Sequence, residues 1–266
     1  MLRYSVWLIG AGLLLAAVWV AHTRADRSAG PMPAAKRVVV AELFTSEGCS
    51  SCPSADAELS RLLAEQPIAA VEVIALGEHV DYWDGLGWQD RFSSTTFSAR
   101  QSEYDARVFR TGSIYTPQLV IDGAMQNVGS DGRAIRRSIE RAAQSPKSLV
   151  GVEAGTDGHD IRADLAIDVP EGVAVRAATD LVVAITEDKL TTDVRRGENG
   201  GRILKHDAVV RAIVTSGVMP LGQRNWRTTA SIPIARDWRV ENLRVVGFLQ
   251  ERDSRRIVGA GASIIK

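Results

Sequence analysis

In the first part of the chain, continuous apolar runs alternate with segments whose apolar residues have helical spacing. Val38–Phe44 is a short, nearly continuous apolar run, which is typical of a buried strand. Ser54–Ala64 then places its larger apolar residues at helical spacing, and Pro67 ends that pattern. A second apolar run, Ile68–Leu76, is rich in Val and Ile. Strand, helix and strand over this length predict a βαβ unit whose two strands are parallel.

The same part of the chain contains four further predicted elements. Ser94–Val108 has apolar residues at helical intervals, and Asp131–Ala143 shows the same spacing. Pro117–Asp122 predicts a third strand, and Met125–Val128 follows a turn as its hairpin partner. This half therefore predicts a small sheet with helices packed on it.

The pattern changes after the segment Ser145–Ser148, which predicts a domain boundary. Beyond it, several segments alternate polar and apolar residues and are separated by turn signals. The predicted strands are Leu149–Glu153, Ile161–Val169, Leu181–Glu187, Thr228–Ile234, Leu243–Gln250 and Ile257–Ile265. Leu204–Val214 fits either a strand or a helix. We expect an antiparallel, β-sandwich-like domain here.

The N-terminal residues predict export. Val6–Ala21 is an uncharged apolar run preceded by Arg3, and as a helix it would rise about 24 Å, less than the roughly 30 Å of a bilayer core. Residues 1–25 are therefore predicted to be a signal peptide, with an uncleaved N-terminal anchor as the alternative. A linker at 26–36 would precede domains at 37–147 and 148–266. We expect the protein to be periplasmic or secreted.

Composition narrows the class of protein. Apolar residues make up 45% of the chain and charged residues 24%, which excludes a disordered, collagen-like or multi-span membrane protein. Lys and Arg total 32, as do Asp and Glu, so the net charge is zero. Neither half is basic enough to predict a nucleic-acid partner.

The two cysteines, Cys49 and Cys52, form a C-x-x-C pair between a predicted strand and helix. A helix N-terminus stabilises a thiolate, because its backbone N–H groups are unpaired and its dipole is positive there. At this spacing Cys52 can attack a mixed disulfide formed at Cys49. The pair alone is compatible with a redox-active dithiol, part of a metal site or an inert bridge.

A polar and aromatic segment, His79–Asp84, follows the second predicted strand. It should emerge at the same sheet edge as Cys49, where α/β sheets place their sites. His79 and Asp81 could tune the Cys49 pKa or bind a metal, and the aromatic side chains of Tyr82, Trp83 and Trp88 could line a substrate groove. Alternatively, the tryptophans cap the core and His79 hydrogen-bonds to the backbone.

Together with Tyr115-Thr116-Pro117-Gln118, these motifs resemble the thioredoxin superfamily from Arg37 to about Ala143. The resemblance implies an α/β thioredoxin-like domain with a mixed sheet and the C-x-x-C pair at a helix N-terminus, followed by the mostly antiparallel β-sandwich-like domain. It also implies that Pro117 is cis and packs against the dithiol, and that Thr116 offers backbone groups to an extended substrate. Glu42 lies one residue from the buried carboxylate position of thioredoxin, and is either a proton acceptor or a salt-bridged structural residue.

More narrowly, the chain is similar to an exported bacterial thioredoxin-like family catalogued as a domain of unknown function. The motifs that carry this similarity are Glu42–Pro53, His79–Asp84, Leu86–Trp88, Tyr115–Gln118 and Arg196–Arg202. By itself the last motif predicts a hairpin turn at Asn199-Gly200, although its arginines could also bind an anion.

These observations predict an exported thiol–disulfide oxidoreductase or a redox-linked protein that needs no cofactor. Cys49 would attack a disulfide, and Cys52 would resolve the mixed disulfide. Pro117 would pack against the two cysteines. The residues expected to contact the substrate are Thr116, Tyr82 and Trp83. Glu42, His79 and Asp81 would tune the thiol pKa. The expected partner is a protein or small-molecule disulfide or dithiol, including a membrane redox partner. The alternatives are a copper or zinc module using Cys49, Cys52 and His79, and an interaction domain with a vestigial dithiol.

Overall fold

The computed structural model describes residues 37–266. Thirteen strands and three α-helices lie in this part of the chain. None of these helices is long and apolar enough to cross a bilayer. The predicted leader at 1–25 and linker at 26–36 lie outside the described residues.

The N-terminal elements confirm most of the predicted local structure. Their bounds are β1 Arg37–Thr45, α1 Cys52–Glu65, β2 Val71–His79, α2 Thr95–Tyr104, β3 Gln118–Ile121, β4 Met125–Val128 and α3 Gly132–Ala142. Strands β1 and β2 are parallel, as the βαβ pattern predicts. Strands β3 and β4 form the predicted antiparallel hairpin, and β3 also pairs antiparallel with β1. A single π-helical turn, Asp105–Phe109, extends α2.

The C-terminal part is almost entirely strand. The bounds are β5 Ser148–Thr156, β6 Asp160–Asp168, β7 Thr179–Glu187, β8 Leu190–Val194, β9 Arg202–His206, β10 Val209–Met219, β11 Asn225–Pro233, β12 Leu243–Glu251 and β13 Ile257–Ile264. The six predicted strands are confirmed. The ambiguous segment Leu204–Val214 is divided between β9 and β10, and β8 was not predicted.

The predicted fold class, a thioredoxin-like α/β domain followed by a separate β-sandwich-like domain, is wrong. Eleven strands form one large mixed sheet in the order β11-β6-β5-β13-β12-β7-β10-β2-β1-β3-β4. Strands β8 and β9 form an additional two-stranded hairpin. The two halves meet where β10 pairs parallel with β2 at Val209 and Gly77, and the Gly77 N–H donates to the Ala208 carbonyl at 2.7 Å. Apolar periodicity identifies each strand but not its neighbour in a sheet, so the pattern did not predict this continuity.

Packing on the two faces of the β1–β3 region explains why the halves are continuous. On one face, Leu43 packs with Leu59 of α1 and Ile135 of α3. On the other face, the next residues in the alternation pack against the C-terminal strands, because successive strand residues point to opposite faces. The shared cluster there includes Val38, Val40, Phe97, Val182, Phe248 and Ile257. Side chains from both halves of the chain thus bury each other.

Candidate redox site

Cys49 and Cys52 form a disulfide at the start of α1, and their Cα atoms are 5.4 Å apart. Cys49 lies in the loop after β1, and Cys52 is the first residue of the helix. Pro53 fits the first helical turn because its missing N–H has no partner to lose there. Both cysteines are buried, with 1% and 0% exposure. The two serines between them form the exposed side of the turn.

The loop between β8 and β9 lies directly on the cysteine turn. The Asn199 side chain donates through Nδ2 to the carbonyls of Glu47 and Cys49, both at 2.9 Å. The Arg202 guanidinium donates a hydrogen bond to the amide oxygen of Asn199 at 2.7 Å. The Ser50 N–H donates to Glu198 at 2.9 Å. A hairpin does turn at Asn199-Gly200, but through a loop of residues 195–201 between β8 and β9 and not through the tight turn that was predicted. This loop contacts the disulfide turn.

A buried His–Asp pair lies behind the turn. His79, at the end of β2, places Nδ1 2.6 Å from the Asp90 carboxylate. Asp90 also accepts the backbone N–H groups of Glu47 at 2.8 Å and of Phe92 at 2.9 Å. Burial alone would raise the pKa of Asp90, but the charge and hydrogen bond of His79, together with these N–H donors, lower it. His79 therefore helps to fix the loop that precedes Cys49.

A second buried histidine, His206 of β9, lies between two acids. Its Nε2 is 3.4 Å from Glu47, and its Nδ1 is 3.5 Å from Asp56. Burial alone would lower the pKa of His206, but the two facing carboxylates raise it to about 10. The imidazole is therefore positively charged at neutral pH. Its ring also lies against His79, with the ring centroids 5.1 Å apart.

Asp56 connects this cluster to the helix that carries Cys52. It follows Cys52 by four residues on α1, so the two side chains lie on the same helix face. Its carboxylate accepts the Thr45 hydroxyl at 2.7 Å. The buried Asp56 carboxylate therefore joins the helix of Cys52 to the end of β1 and to His206.

The predicted substrate-binding residues hydrogen-bond within the protein. The Trp83 indole N–H donates to the Thr116 hydroxyl at 2.8 Å, and the Tyr82 hydroxyl donates to Gln101 at 3.0 Å. Burial raises the pKa of Tyr82 to about 12. A Cβ added at Gly48 would lie 3.2 Å from the Trp83 Cβ, so Trp83 lies close to the cysteine loop.

Pro117 and Asp81 lie next to different helices, Pro117 beside α1 and Asp81 against α2. The Thr116–Pro117 peptide bond is cis, which confirms that expectation. A Cβ added at Gly129 would come within 3.1 Å of Pro117 and 2.9 Å of Ala55, so Pro117 lies beside the first turns of α1. Asp81 instead pairs with Ser98 of α2 through its backbone N–H at 3.1 Å and through its carboxylate. Their roles in the reaction stay predictions.

Glu42 lies on the sheet face opposite α1, among residues of α2. Its carboxylate accepts hydrogen bonds from the Arg100 guanidinium, at 2.7 Å from Nε, and from the Tyr104 hydroxyl. Arg100 also donates to Gln250 of β12 at 3.1 Å. Glu42 has the contacts of a salt-bridged structural residue, and these contacts tie the N-terminal strands to the C-terminal ones.

A neighbouring acid, Glu78 of β2, is buried without a hydrogen bond to either carboxyl oxygen among the described residues. Burial raises its pKa well above the usual 4.5, and the Glu42 charge adds to this although Arg100 opposes it. The folded protein therefore binds the Glu78 proton more tightly than the unfolded chain does. Stability consequently falls as pH rises from 4.5 through the raised pKa.

We expect Glu78→Gln to remove this loss, because the amide keeps the shape of the acid and cannot ionise. The variant should gain stability over the wild type as pH increases, by up to about 1.4 kcal/mol per pH unit. Urea unfolding at several pH values measures the difference. Glu72→Gln, on the same strand but half-buried, is the control. Equal pH dependence of wild type and Glu78→Gln would contradict the prediction.

The alternative metal site is not assembled. Among residues 37–266, no group of three His, Cys, Asp or Glu side chains is arranged to hold a metal ion. Cys49 and Cys52 bond to each other, and His79 is directed at Asp90. The trio Cys49, Cys52 and His79 is therefore not brought together as a set of ligands.

Sequence reasoning missed five residues of this site: Glu47, Asp56, Asp90, Asn199 and His206. Glu47 lies inside the motif Glu42–Pro53. Asp56 follows Cys52 by four residues, and this spacing could have indicated that it lies on the same helix face. The other three come from loops and from β9, and their local sequence gave no sign of contact with the cysteine turn.

The fold and site define a class of protein: a large mixed sheet that carries a buried disulfide at a helix N-terminus, covered by a hairpin. The family model described as protein of unknown function (DUF1223) matches residues 40–250, and the chain belongs to this family. No curated protein matches the chain.

Solved structures that are similar to it include the following two. A structural-genomics target from Agrobacterium tumefaciens is 28% identical with a TM-score of 0.64, and the match covers 85% of this chain and 93% of that one. HBP35 of Porphyromonas gingivalis is 14% identical with a TM-score of 0.65, and the match covers 86% of this chain and 76% of that one. The second likeness concerns the fold alone.

Proposed function

We propose that the protein is an exported thiol–disulfide oxidoreductase. The observation that carries the proposal is the Cys49–Cys52 pair, bonded across the start of α1 with buried ionisable groups behind it. Helix N-terminal cysteines have the electrostatic surroundings that favour a nucleophilic thiolate. The resemblance of the C-x-x-C-P and Thr-Pro motifs to the thioredoxin superfamily supports the same chemistry. The apolar leader supports export, where disulfides persist.

In the proposed reaction, electrons are exchanged only between the dithiol and its substrate. The Cys49 thiolate attacks a substrate disulfide, forms a mixed disulfide and releases one substrate thiolate, which takes up a proton. Cys52 then loses its proton and attacks Cys49, so the second substrate thiolate leaves and the Cys49–Cys52 bond closes. The substrate gains two electrons and the protein loses two. A partner dithiol reverses these steps to regenerate the protein.

Access to Cys49 is the main structural requirement of this reaction. The sulfur is buried beneath a turn that contacts Asn199, Glu198 and Trp83. A substrate therefore has to displace one of these neighbours to reach it. Thr116 and Tyr82 flank Trp83 and would meet an extended substrate on that side. The partner class is a protein or small-molecule disulfide or dithiol, a membrane redox protein included.

We expect Cys52→Ser to trap mixed disulfides in cells, because the attacking thiol remains and the resolving thiol is lost. Cys49→Ser should trap none, although it removes the same internal bond and leaves the other thiol in place. Non-reducing electrophoresis and mass spectrometry of the captured adducts measure the difference.

The two single-cysteine variants control for each other in stability and thiol content. Reduced wild-type protein should also exchange with a small disulfide such as oxidised glutathione. Equal trapping by both variants, together with no exchange by the wild type, would refute the proposed function.

A further inference from the structure

The hairpin loop places a carboxylate on the backbone of the cysteine turn. Glu198 accepts the Ser50 N–H at 2.9 Å, and Ser50 directly follows Cys49. The contact joins segments 148 residues apart. Hydrogen bonds from the side chain and backbone of Ser50 lower the pKa of Glu198, so this group is a carboxylate at neutral pH.

The position of this carboxylate is held by a second contact. Asn199 is fully buried and donates to the Glu47 and Cys49 carbonyls, and Arg202 fixes its amide oxygen. The residue before Asn199 is therefore kept beside the cysteine turn although its own side chain is exposed. Glu198 is thus anchored at the site by its neighbour.

Other ionisable groups surround the same turn but are engaged elsewhere. They are Glu47 of the loop, Asp56 of α1, His79 and Asp90 from β2 and the segment after it, and Arg202 and His206 of β9. Arg196 of the hairpin loop is exposed and lies two residues before Glu198 in the sequence. Glu47 accepts the Trp88 indole N–H at 2.8 Å and faces His206. Since His206 has a pKa of about 10, its charge is constant across neutral pH. Among the described residues, Glu198 is the acid that takes the Ser50 N–H.

We infer that Glu198 disfavours the Cys49 thiolate and thereby poises the pair as a reductant. A free backbone N–H beside a cysteine stabilises its thiolate, and the Ser50 N–H directly follows Cys49. Glu198 takes this N–H, which lies just before the start of α1, and adds a negative charge nearby. A less stable thiolate makes the reduced form less stable, which lowers the reduction potential of the disulfide. The inference rests on the proposed function, because it assigns the direction of that reaction. Glu198 acts through Ser50 and Cys49 as a positioning residue.

The test compares Glu198→Gln with the wild type as reduced, full-length protein. The amide keeps an oxygen that can accept the Ser50 N–H and removes the charge. We expect alkylation of Cys49 by iodoacetamide at neutral pH to be about two- to fivefold faster, with the rate profile displaced to lower pH. Equilibration with glutathione buffers should give a higher reduction potential. A purely structural role would move neither measurement.

Asp193→Asn is the matched control, because it removes the same charge from an exposed side chain of the same hairpin. We expect it to match the wild type. The inference would be overturned if the pH profiles of Cys49 alkylation were the same for Glu198→Gln and the wild type. It would also be overturned if Glu198→Gln and Asp193→Asn changed the alkylation rate equally, since the effect would then not depend on the contact with Ser50. Failure of the proposed function is distinguishable, because the wild type would then not exchange with glutathione disulfide whatever the alkylation rates show.

Discussion

Replacing Arg100 with Met should destabilise the protein by about 3–5 kcal/mol. The guanidinium is buried and binds the fully buried Glu42, so its loss leaves a carboxylate without a compensating charge in the core. The hydrogen bonds to Gln250 and Tyr104 are lost as well. Guanidinium or urea unfolding measures the change, with the m-value as a check on two-state behaviour.

Two further variants make this result specific. Arg61→Met removes a guanidinium that is 37% exposed and pairs with Glu58 and Glu65 on α1, and it should cost less than about 1 kcal/mol. The double variant Glu42→Gln with Arg100→Met should be more stable than Arg100→Met alone, because Glu42 then no longer leaves an unpaired charge in the core. Equal effects of Arg100→Met and Arg61→Met would contradict the prediction, and the double variant keeps it testable if Arg100→Met does not fold.

Local structure around the cysteines could be predicted because its causes are local. The apolar run of β1, the helical spacing of α1 and the second run in β2 lie consecutively in the sequence, and their parallel pairing follows from that order. The position of Cys49 before a helix N-terminus follows from the same elements. The single continuous sheet could not be predicted, because it depends on β10 pairing with β2, and neither strand has a local feature that selects the other.

The environment of the disulfide depends on contacts between distant segments. Asn199-Gly200 is a sufficient turn signal, so nothing in that loop required Asn199 to reach the Cys49 carbonyl 150 residues away. His206 similarly lies in a segment that fitted either a strand or a helix. Glu42 shows the intermediate case: a charged residue in a buried strand indicated a partner, but the sequence did not identify Arg100.

The second large effect is expected at His206. Its ring lies between Glu47 and Asp56, and its pKa is raised from 6.5 to about 10. Because the folded state holds this proton more tightly than the unfolded chain, the contribution of His206 is complete below pH 6.5. It decreases as pH rises, by up to about 1.4 kcal/mol per unit, and is lost as pH passes about 10.

His206→Gln should therefore cost about 3–5 kcal/mol at neutral pH, since two buried carboxylates lose their shared cation. The difference in unfolding free energy between variant and wild type should shrink steadily from neutral to alkaline pH. His159→Gln removes an exposed histidine and should leave both stability and its pH dependence unchanged. A His206→Gln deficit that stayed constant with pH would show that the ring acts by packing and not as a cation.

If His206→Gln does not fold, the double variant Glu47→Gln with His206→Gln provides the same test, because it removes one of the stranded charges. It should recover part of the lost stability at neutral pH. The recovery matters for the site, since Glu47 precedes the cysteine turn by two residues and Asp56 lies one helical turn after Cys52. An imidazolium between them fixes both ends of the segment that carries the disulfide, so its removal should also change the reduction potential of Cys49–Cys52 in glutathione buffers.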